Sequence, residues 1–484
     1  QLQKQRTRHE CKEQNAFVID KKVEDVEKFL ERFPFTATSA QRKAIEHALA
    51  DFKHGHPMAR LLEGDVGSGK TAVAATLAYA MTTSTPKGQS FGALQTAIMA
   101  PTEILAKQHF ESFIKLFKHL PINIALITGS GARKFPSKVN PQGWTDISRK
   151  QLQKWVANGE IAIVIGTHAL IQKSVKFKHL ALAVIDEQHR FGLSQRQALT
   201  TKEGLTPHLL SMTATPIPRT LALTLYGDLD LTLLDEMPAG RKKIITEVVI
   251  PEKRAQTYEE IRKELKTGRQ AYVICPRIDE PDPSKELAVH AKSVKEEAKR
   301  LKAEIFPEYE IEILHSKMTT LAKEKVMNDF INKKIDILVS TSVVEVGVNV
   351  ENASLIIIEG AERFGLSQLH QLRGRVLRGT HQPYCFVFTD SNSKTTLERL
   401  TALKTAKNGF ELAEFDLKHR GAGELAGNKQ WGISDLGMEA IKNLKMVEAA
   451  RREATNLIDT DPALKESPLL NERLESSAQK IHFE

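Results

Sequence analysis

The sequence predicts an α/β protein of two similar lobes, each built on a parallel sheet, followed by a helical hairpin and tail. From residue 59 onward, short apolar runs alternate with longer helical patterns. This alternation is typical of buried parallel strands joined by crossover helices. A charged stretch with Pro and Gly, residues 235–243, interrupts the alternation before it resumes. Beyond about residue 391 the apolar runs stop, and helical patterns with a Gly-rich interruption complete the chain.

At 484 residues the chain is longer than one hydrophobic core usually supports. We therefore expect an N-terminal helical arm or linker at 1–34, a first lobe at 35–236, a second lobe at 237–392 and a helical hairpin and tail at 393–484. In the arm, apolar residues at three-and-four spacing predict an amphipathic helix. They are Val23, Val26, Phe29, Leu30 and Phe33.

The predicted strands of the two lobes follow in chain order. In the first lobe they are ARLLE, LQTAIMA, INIALI, IAIVIG, LALAVID and HLLSM. The stretch TEILAKQHFESFIKLFKHL changes to helical periodicity, with Phe110, Phe113, Ile114 and Phe117 on one side. In the second lobe the predicted strands are IITEVVI, RQAYVICP, IEILH, IDILVS, ASLIIIEG and YCFVF.

Composition excludes several classes of protein. Hydrophobic residues make up 41% and charged residues 27%, which is ordinary for a soluble domain. The sequence has no apolar run of the roughly 18 residues that predict a membrane span, and it begins without a signal peptide. The three cysteines lie far apart, which argues against a disulfide framework or a zinc site and favours the cytoplasm. A net charge of +9 is compatible with a nucleic-acid partner but does not require one.

Residues 64–71 form a phosphate-binding motif. They match G-x-x-x-x-G-K-[ST] after a predicted strand and before a predicted helix. A chance match would occur in about one or two of a hundred chains of this length, and the sequence context makes chance less probable still. Backbone N–H groups would cradle the phosphates, Lys70 would reach the β and γ oxygens, and Thr71 would bind Mg²⁺. The motif thus predicts a nucleoside triphosphate site, and its contacts are Gly64, Gly67, Ser68, Gly69, Lys70 and Thr71.

Hydrolysis needs further groups, which the sequence offers at two places. Asp186 and Glu187 end the apolar strand ALAVID, where carboxylates have no role in packing. Asp186 would hold Mg²⁺ and Glu187 would act on the attacking water, although an acidic turn is the alternative. In the second lobe, QLHQLRGRVLRG offers Arg373, Arg375 and Arg378, which are either solvated or arginine fingers for the γ-phosphate. Fingers on the second lobe would make hydrolysis depend on lobe closure, as in a motor.

The ordered motifs resemble superfamily 2 helicases and translocases, and above all the RecG-type ATP-dependent DNA helicases. The resemblance runs from about residue 35 to beyond residue 432. It implies two tandem RecA-like lobes, the use of ATP with Mg²⁺, and translocation on double-stranded and branched DNA in recombination and repair. It also implies a bacterial cytoplasmic monomer, with a single-stranded-DNA-binding protein as a candidate partner. The motifs are TSAQRKAI, GDVGSGKT, APTEILAKQH, VIDEQHRFG, SMTATPIPRTLALTLYGDLD, LLDEMPAGR, EVGV, QLHQLRGRV and RGAGEL.

The resemblance also implies roles for single residues. Gln41 would read the adenine edge, Arg375 and Arg378 would be the arginine fingers, and Thr213 and Thr215 would link the ATP state to DNA contact. Polar residues at strand ends would grip the nucleic-acid backbone without reading bases, although each alone can equally cap a helix. These residues are Thr102, Glu103, Thr128, Gly129, Thr167, His168, Ser340 and Thr341.

The tail carries the family-specific part of the resemblance. In RecG-type enzymes a helical hairpin and a Gly-rich loop transmit lobe movement to duplex DNA. The matching stretch is FELAEFDLKHRGAGELAGNKQWG, with His370 as a contact from the second lobe. The residues at matching positions are Asp416, Arg420, Gly421, Gly423, Glu424 and Gln430.

Departures from the family pattern keep one alternative open, and the tail, which a second family of translocases shares, keeps another. Asn349 stands where the family usually has Asp, and Leu377 replaces a small residue. Only some 35 residues precede the motor, where the family has a wedge domain, so we expect ATP binding with weak junction selectivity and poor unwinding. The alternatives are a non-hydrolysing helicase-like scaffold and a transcription-repair coupling translocase. Gln188 argues against the latter, because that family typically reads DEEH where this chain has DEQH.

Overall fold

The computed structural model describes residues 1–85, 94–187, 205–215, 227–238, 242–276, 293–341, 350–377, 379, 381–406, 408–420 and 443–481. Within these residues, two α/β lobes precede a set of C-terminal helices, which confirms the predicted fold class. The described strands of the first sheet lie between residues 59 and 234, and those of the second between residues 245 and 388. The exact domain boundaries stay predictions.

The described strands of the first lobe form a nine-stranded sheet with the order β5-β4-β3-β6-β2-β7-β8-β1-β9. Neighbouring strands pair in parallel except at the β4–β5 end, where β4 is antiparallel to both β3 and β5. Because β1, β2, β3, β6 and β7 run in parallel, the residues that follow them share the carboxyl edge of the sheet. The strands are β1 Ala59–Gly64, β2 Gln95–Met99, β3 Ile124–Ile127, β4 Ala132–Phe135, β5 Thr145–Asp146, β6 Ile163–Gly166, β7 Leu180–Ile185, β8 His208–Thr213 and β9 Asp230–Leu234.

Both faces of this sheet are buried, as the continuous apolar runs predict. In β2, Ile98 belongs to the apolar cluster on one face, while Ala97 and Met99 belong to the cluster on the other face. The predicted helix after β2 spans Glu103–Phe117, and its Phe110, Phe113 and Phe117 are fully buried. The described helices of this part are α1 Leu2–Lys12, α2 Val23–Leu30, α3 Ser39–Asp51, α4 Lys70–Thr82, α5 Glu103–Phe117 and α6 Arg149–Ala157.

The described strands of the second lobe form a six-stranded sheet, β10-β15-β14-β11-β13-β12, in which all pairs are parallel. In β14, Ile356 and Ile358 face one apolar cluster, and Leu355 and Ile357 face the other. The strands are β10 Ile245–Val249, β11 Gln270–Cys275, β12 Ile311–Leu314, β13 Ile337–Thr341, β14 Ala353–Ile358 and β15 Tyr384–Phe388. The described helices are α7 Arg254–Lys266, α8 Val294–Arg300, α9 Thr320–Ile331 and α10 Leu366–Arg373.

Four described helices follow the second lobe: α11 Lys394–Thr405, α12 Gly409–Arg420, α13 Leu444–Thr460 and α14 Pro468–Ile481. Helices α11 and α12 pack on α10, because Leu403 and Leu412 share the apolar cluster of Leu369 and Leu372. Helix α13 contacts the N-terminal α1. No helix in the described part of the chain is long and apolar enough to cross a bilayer.

Candidate nucleotide-binding site and interlobe contacts

The phosphate loop, residues 64–71, connects β1 to α4. Gly67 and Gly69 have φ of 86° and 89°, which favours glycine at both positions. A Cβ on Gly69 would lie only 2.1 Å from Gln41 Nε2, so a larger residue there would displace the Gln41 side chain. The hydroxyl of Ser68 is buried and makes no hydrogen bond with the described residues, as expected of a group that binds a ligand. The loop therefore fits a phosphate group.

Lys70 is the first residue of α4, and its ammonium group points back into the phosphate loop. Its Nζ donates to the carbonyl oxygens of Gly64 at 2.6 Å and Asp65 at 3.0 Å. Thr71 follows it in the first turn of the helix, where the positive end of the helix dipole faces the loop. These two residues lie where the sequence predicts phosphate and Mg²⁺ contacts, and both roles stay predictions.

Gln41 supports the phosphate loop from α3. Its Nε2 donates to the Ser68 carbonyl at 2.7 Å, and its Oε1 accepts from the Thr38 N–H at 3.0 Å. The second contact is half of a capping box, because the Thr38 hydroxyl accepts from the Gln41 N–H in return. The side chain is buried, and its predicted contact with adenine stays a prediction.

The two predicted catalytic carboxylates lie side by side at the carboxyl edge, after β7. Asp186 Oδ2 contacts His109 Nε2 at 2.8 Å, and its Oδ1 accepts from the Glu187 N–H at 3.0 Å. Burial would raise the pKa of Asp186, but the hydrogen bond and charge of His109, together with the charge of Lys70, lower it. Asp186 is thus held as a carboxylate, the form that a Mg²⁺ ligand requires.

Glu187 has the opposite electrostatic environment. Burial raises the pKa of its carboxyl group, and the charge of Asp186 raises it further, while Lys70 and Arg375 oppose both effects. Its φ of 52° is in the left-handed region, which is unfavourable for a residue with a Cβ and is typical of active sites. Two neighbouring carboxylates with pKa values moved in opposite directions are a common arrangement for acid–base chemistry.

The second lobe contacts the first at the phosphate loop. The charges of Arg375, from the second lobe, and of Lys70, from the first, both lower the pKa of Glu187. Beside Arg375, Gly374 lies so close to the loop that an added Cβ would be 2.8 Å from the Cβ of Val66. The two lobes therefore share one cleft at the phosphate loop, next to the turn that carries Arg375.

Two further side chains of α10 make contacts across this cleft. Gln371 Nε2 donates to the Thr215 hydroxyl at 2.6 Å, and the Thr215 N–H donates to the Thr213 hydroxyl at 3.1 Å. His370 Nε2 contacts Asp65 Oδ1 at 2.9 Å. Thr215, a predicted coupling residue of the first lobe, and His370, a predicted contact of the second, thus each bond a residue of the opposite lobe.

Three family models match successive parts of the chain. A DEAD/DEAH box helicase model matches residues 38–224, and a helicase conserved C-terminal domain model matches residues 252–380. A model for domain 3 at the C-terminus of the ATP-dependent DNA helicase RecG matches residues 406–481. The RecG of Synechocystis is 42% identical over 478 residues, which is 99% of this chain and 54% of that protein. The RecG of Bacillus subtilis is 44% identical over 92% of this chain and 61% of that protein.

The chain belongs to the RecG helicase family. A structure of RecG bound to a three-way DNA junction superimposes with a TM-score of 0.73 at 37% identity, covering 92% of this chain and 55% of that one. The helicase MrfA bound to DNA, at 16% identity, has a TM-score of 0.56 over 82% of this chain and 56% of its own, which shows a shared fold. The chain spans 54% to 65% of the length of the RecG relatives from Synechocystis, Bacillus subtilis and Staphylococcus epidermidis.

In this RecG-family chain, the predicted backbone-gripping residues follow β2, β3 and β6 or end β13. Thr102 caps α5 by accepting from the Leu105 N–H, which is the capping role that its residue type allows. Thr128 is buried and bonds the Ser130 hydroxyl at 3.1 Å. Thr167 and Thr341 have buried hydroxyls that find no partner among the described residues. None of these arrangements decides a DNA contact, so the nucleic-acid roles stay predictions. His168 is exposed. The remaining predicted backbone-gripping residues are Glu103, Gly129 and Ser340.

Some predicted positions lie outside the described residues. The side chain of Arg420, at the end of α12, also lies outside what the structure describes, whereas the side chain of Asp416 is described and buried. Leu377 is half-buried at the end of the turn that carries Arg375. The positions outside are Gln188, Asn349, Arg378, Gly421, Gly423, Glu424 and Gln430.

Sequence reasoning missed three residues of this site, Asp65, His109 and Gln371. All three lie inside motifs that the sequence displays, GDVGSGKT, APTEILAKQH and QLHQLRGRV. A buried His on a helix face is more often a core residue than a partner of a catalytic group, so spacing alone does not identify His109. The only sequence signal for it is its position two turns into α5. This helix begins at residues that are predicted to contact the DNA backbone.

Proposed function

We propose that this protein is an ATP-dependent translocase and helicase of double-stranded DNA that acts on branched DNA, such as stalled forks and Holliday junctions. The observation that carries the proposal is that the two lobes meet at the phosphate loop, where Gly374, beside Arg375, packs against Val66 and His370 contacts Asp65. The names of the RecG relatives and the three-way junction of the related structure support the same activity and substrate.

In the proposed mechanism the phosphate loop binds ATP with the residues that already shape it. Lys70 exchanges the carbonyl oxygens of Gly64 and Asp65 for the β and γ oxygens of the nucleotide. Thr71 and Asp186 would hold Mg²⁺, which neutralises phosphate charge and orients the phosphates. His109 fixes the Asp186 carboxylate in the orientation this requires.

Hydrolysis then depends on the two lobes meeting. Glu187, with its raised pKa, accepts a hydrogen bond from the attacking water and is suited to take its proton. Arg375, with Arg378 as the proposed second finger, stabilises the charge that develops on the γ-phosphate. Since the fingers belong to the second lobe, opening and closing of the cleft would accompany each cycle and move the DNA-contacting strand ends of both lobes.

We propose a monomer, and we propose the bacterial cytoplasm as its location because the RecG relatives are bacterial. A single-stranded-DNA-binding protein is a proposed partner at forks. The net charge of +9 favours association with the DNA backbone.

The test is ATP hydrolysis measured with linear duplex, forked DNA and no DNA. We expect DNA to stimulate the wild-type rate, forked DNA only slightly more than linear, and Lys70→Ala to lower that rate about 10²-fold, the usual effect of losing one group that stabilises a transition state. Lys53→Ala, at an exposed lysine that pairs with Asp20, is the matched control and should leave the rate unchanged. A wild-type rate no faster than that of Lys70→Ala would show a scaffold rather than an enzyme.

A further inference from the structure

The carboxylate of Asp65 lies at a point where three elements meet. Asp65 belongs to the phosphate loop, and its side chain is only 16% exposed. Its Oδ1 contacts His370 on α10 of the second lobe at 2.9 Å. Its Oδ2 accepts from the Gly409 N–H, the first residue of α12, at 3.2 Å. One side chain of the nucleotide site thus contacts both the second lobe and the C-terminal hairpin, which is α11 and α12.

The hydrogen bonds around His370 fix its tautomer. Arg373 can only donate, and its Nη2 lies 2.9 Å from His370 Nδ1, so Nδ1 is the acceptor. Nε2 therefore carries the proton and donates to Asp65. Arg373 also donates to the carbonyl of Leu403 in α11, so this chain of contacts reaches the first helix of the hairpin as well.

The contact with α12 satisfies a group that the helix cannot satisfy itself. The first N–H groups of a helix have no partner within it, and the dipole favours a negative charge beside them. The side chain of Asn408 accepts from the Glu411 N–H at 3.0 Å, which leaves the Gly409 N–H to Asp65. Burial would raise the pKa of Asp65, but His370, the Gly409 N–H and Lys70 together lower it, so the carboxylate is charged.

The main chain of Asp65 contacts the group that binds phosphate. Its carbonyl accepts from Lys70 Nζ at 3.0 Å, while its carboxylate holds α12. When Lys70 turns toward a nucleotide, it leaves the carbonyl oxygen of Asp65. The carboxylate of the same residue holds the hairpin. We propose that Asp65 is a positioning residue through which the occupancy of the phosphate loop sets the position of the C-terminal hairpin, without passing through the arginine fingers. This inference rests on the proposed function, because it assigns the link between ATP and the DNA-moving element.

The main test removes the Gly409 N–H and leaves the nucleotide site intact. Gly409→Pro deletes this donor, and proline is well tolerated at the first position of a helix. It also favours extended backbone at Asn408, which suits a capping residue. Gly409→Ala keeps the N–H and is the matched control.

We expect Gly409→Pro to lower the stimulation of ATP hydrolysis by DNA about tenfold, within the range of typical coupling between sites. The amount of a triplex-forming strand displaced from duplex DNA per ATP hydrolysed, which measures translocation, should fall by the same factor. The DNA-free kcat and the KM for ATP should stay within about twofold of wild type, whereas a merely structural role would change them together. DNA should stimulate ATP hydrolysis by Gly409→Ala as strongly as it stimulates hydrolysis by wild type. Equal stimulation of the Pro and Ala variants would overturn the inference.

A second measurement keeps the two proposals separate. Amide hydrogen exchange of residues 409–412 is followed in wild type and in Asp65→Asn, with and without a non-hydrolysable ATP analogue and Mg²⁺. The analogue should change exchange at the start of α12 in wild type only, and these amides should exchange faster in Asp65→Asn without it. Identical exchange in the two proteins would overturn the inference. A wild-type protein without DNA-stimulated hydrolysis but with these exchange differences would instead refute the proposed function alone.

Discussion

Lowering the pH should destabilise the first lobe through one buried histidine, His208 in β8. Its side chain is fully buried, its Nδ1 accepts from the Met58 N–H at 3.0 Å, and its Nε2 donates to the Phe17 carbonyl at 2.9 Å. Its ring also contacts Phe52, with centroids 4.6 Å apart. A proton on Nδ1 would abolish the hydrogen bond that this atom accepts, because its N–H would then face the N–H of Met58. Burial is the main reason why the pKa of His208 falls from 6.5 to about 4.

The sign and size of the effect follow from this pKa. Above pH 6.5 the ring is neutral in both the folded and the unfolded chain, so it costs nothing. As the pH falls below 6.5, the unfolded chain gains a proton that the folded chain refuses, and stability is lost until about pH 4. The loss of unfolding free energy from His208 is about 2 kcal/mol at pH 5 and about 3 kcal/mol below pH 4.

Urea unfolding at several pH values measures this loss, with tryptophan fluorescence as the signal, since Trp144 and Trp155 lie in the first lobe. Other groups titrate in the same range, so the informative quantity is the difference between proteins. His208→Gln, which cannot titrate, should lose about 2 kcal/mol less than wild type between pH 7.5 and 5. His47→Gln, at an exposed histidine of α3, should lose as much as wild type. Equal losses in wild type and His208→Gln would refute the reasoning.

Three further predictions follow from the cleft and the charge. His109→Ala should lower the kcat of DNA-stimulated hydrolysis about 10- to 100-fold, because it removes the partner that orients Asp186; an unchanged kcat and Mg²⁺ dependence would contradict this. Gly374→Ala should lower the same kcat about fivefold or more, because its Cβ would meet that of Val66, and adding Val66→Gly should restore most of it; a double variant no better than the single one would place the defect elsewhere. DNA binding, measured by fluorescence anisotropy, should weaken steeply as salt rises, with a linear fall of log K against log salt. Binding that is insensitive to salt would argue against contacts directed at the DNA backbone.

Much of the fold was predictable because its signals are local. Continuous apolar runs alternating with helical periods identify parallel strands with crossover helices, and the twelve quoted runs each overlap a strand of the structure. Three strands were missed. Strand β4 carries Arg133 and Lys134 and β5 has two residues, so neither forms an apolar run, whereas β9, DLTLL, contains a short apolar run that was overlooked. Strands β4 and β5 form because a neighbouring strand offers them hydrogen bonds, which no local pattern records.

The site divides in the same way. The sequence by itself determined the phosphate loop, the paired carboxylates after β7 and the candidate fingers, because packing alone rarely produces such glycine spacing or places charge at the end of a buried strand. Tertiary structure alone decided that Gly374, beside Arg375, meets the phosphate loop, that His109 holds Asp186, and that Asp65 contacts α12. These contacts join residues 77 to 344 positions apart, or lobes that the chain connects only through a linker. Their energies depend on distance and burial in the folded chain, and neither quantity is encoded in the spacing of residues along it.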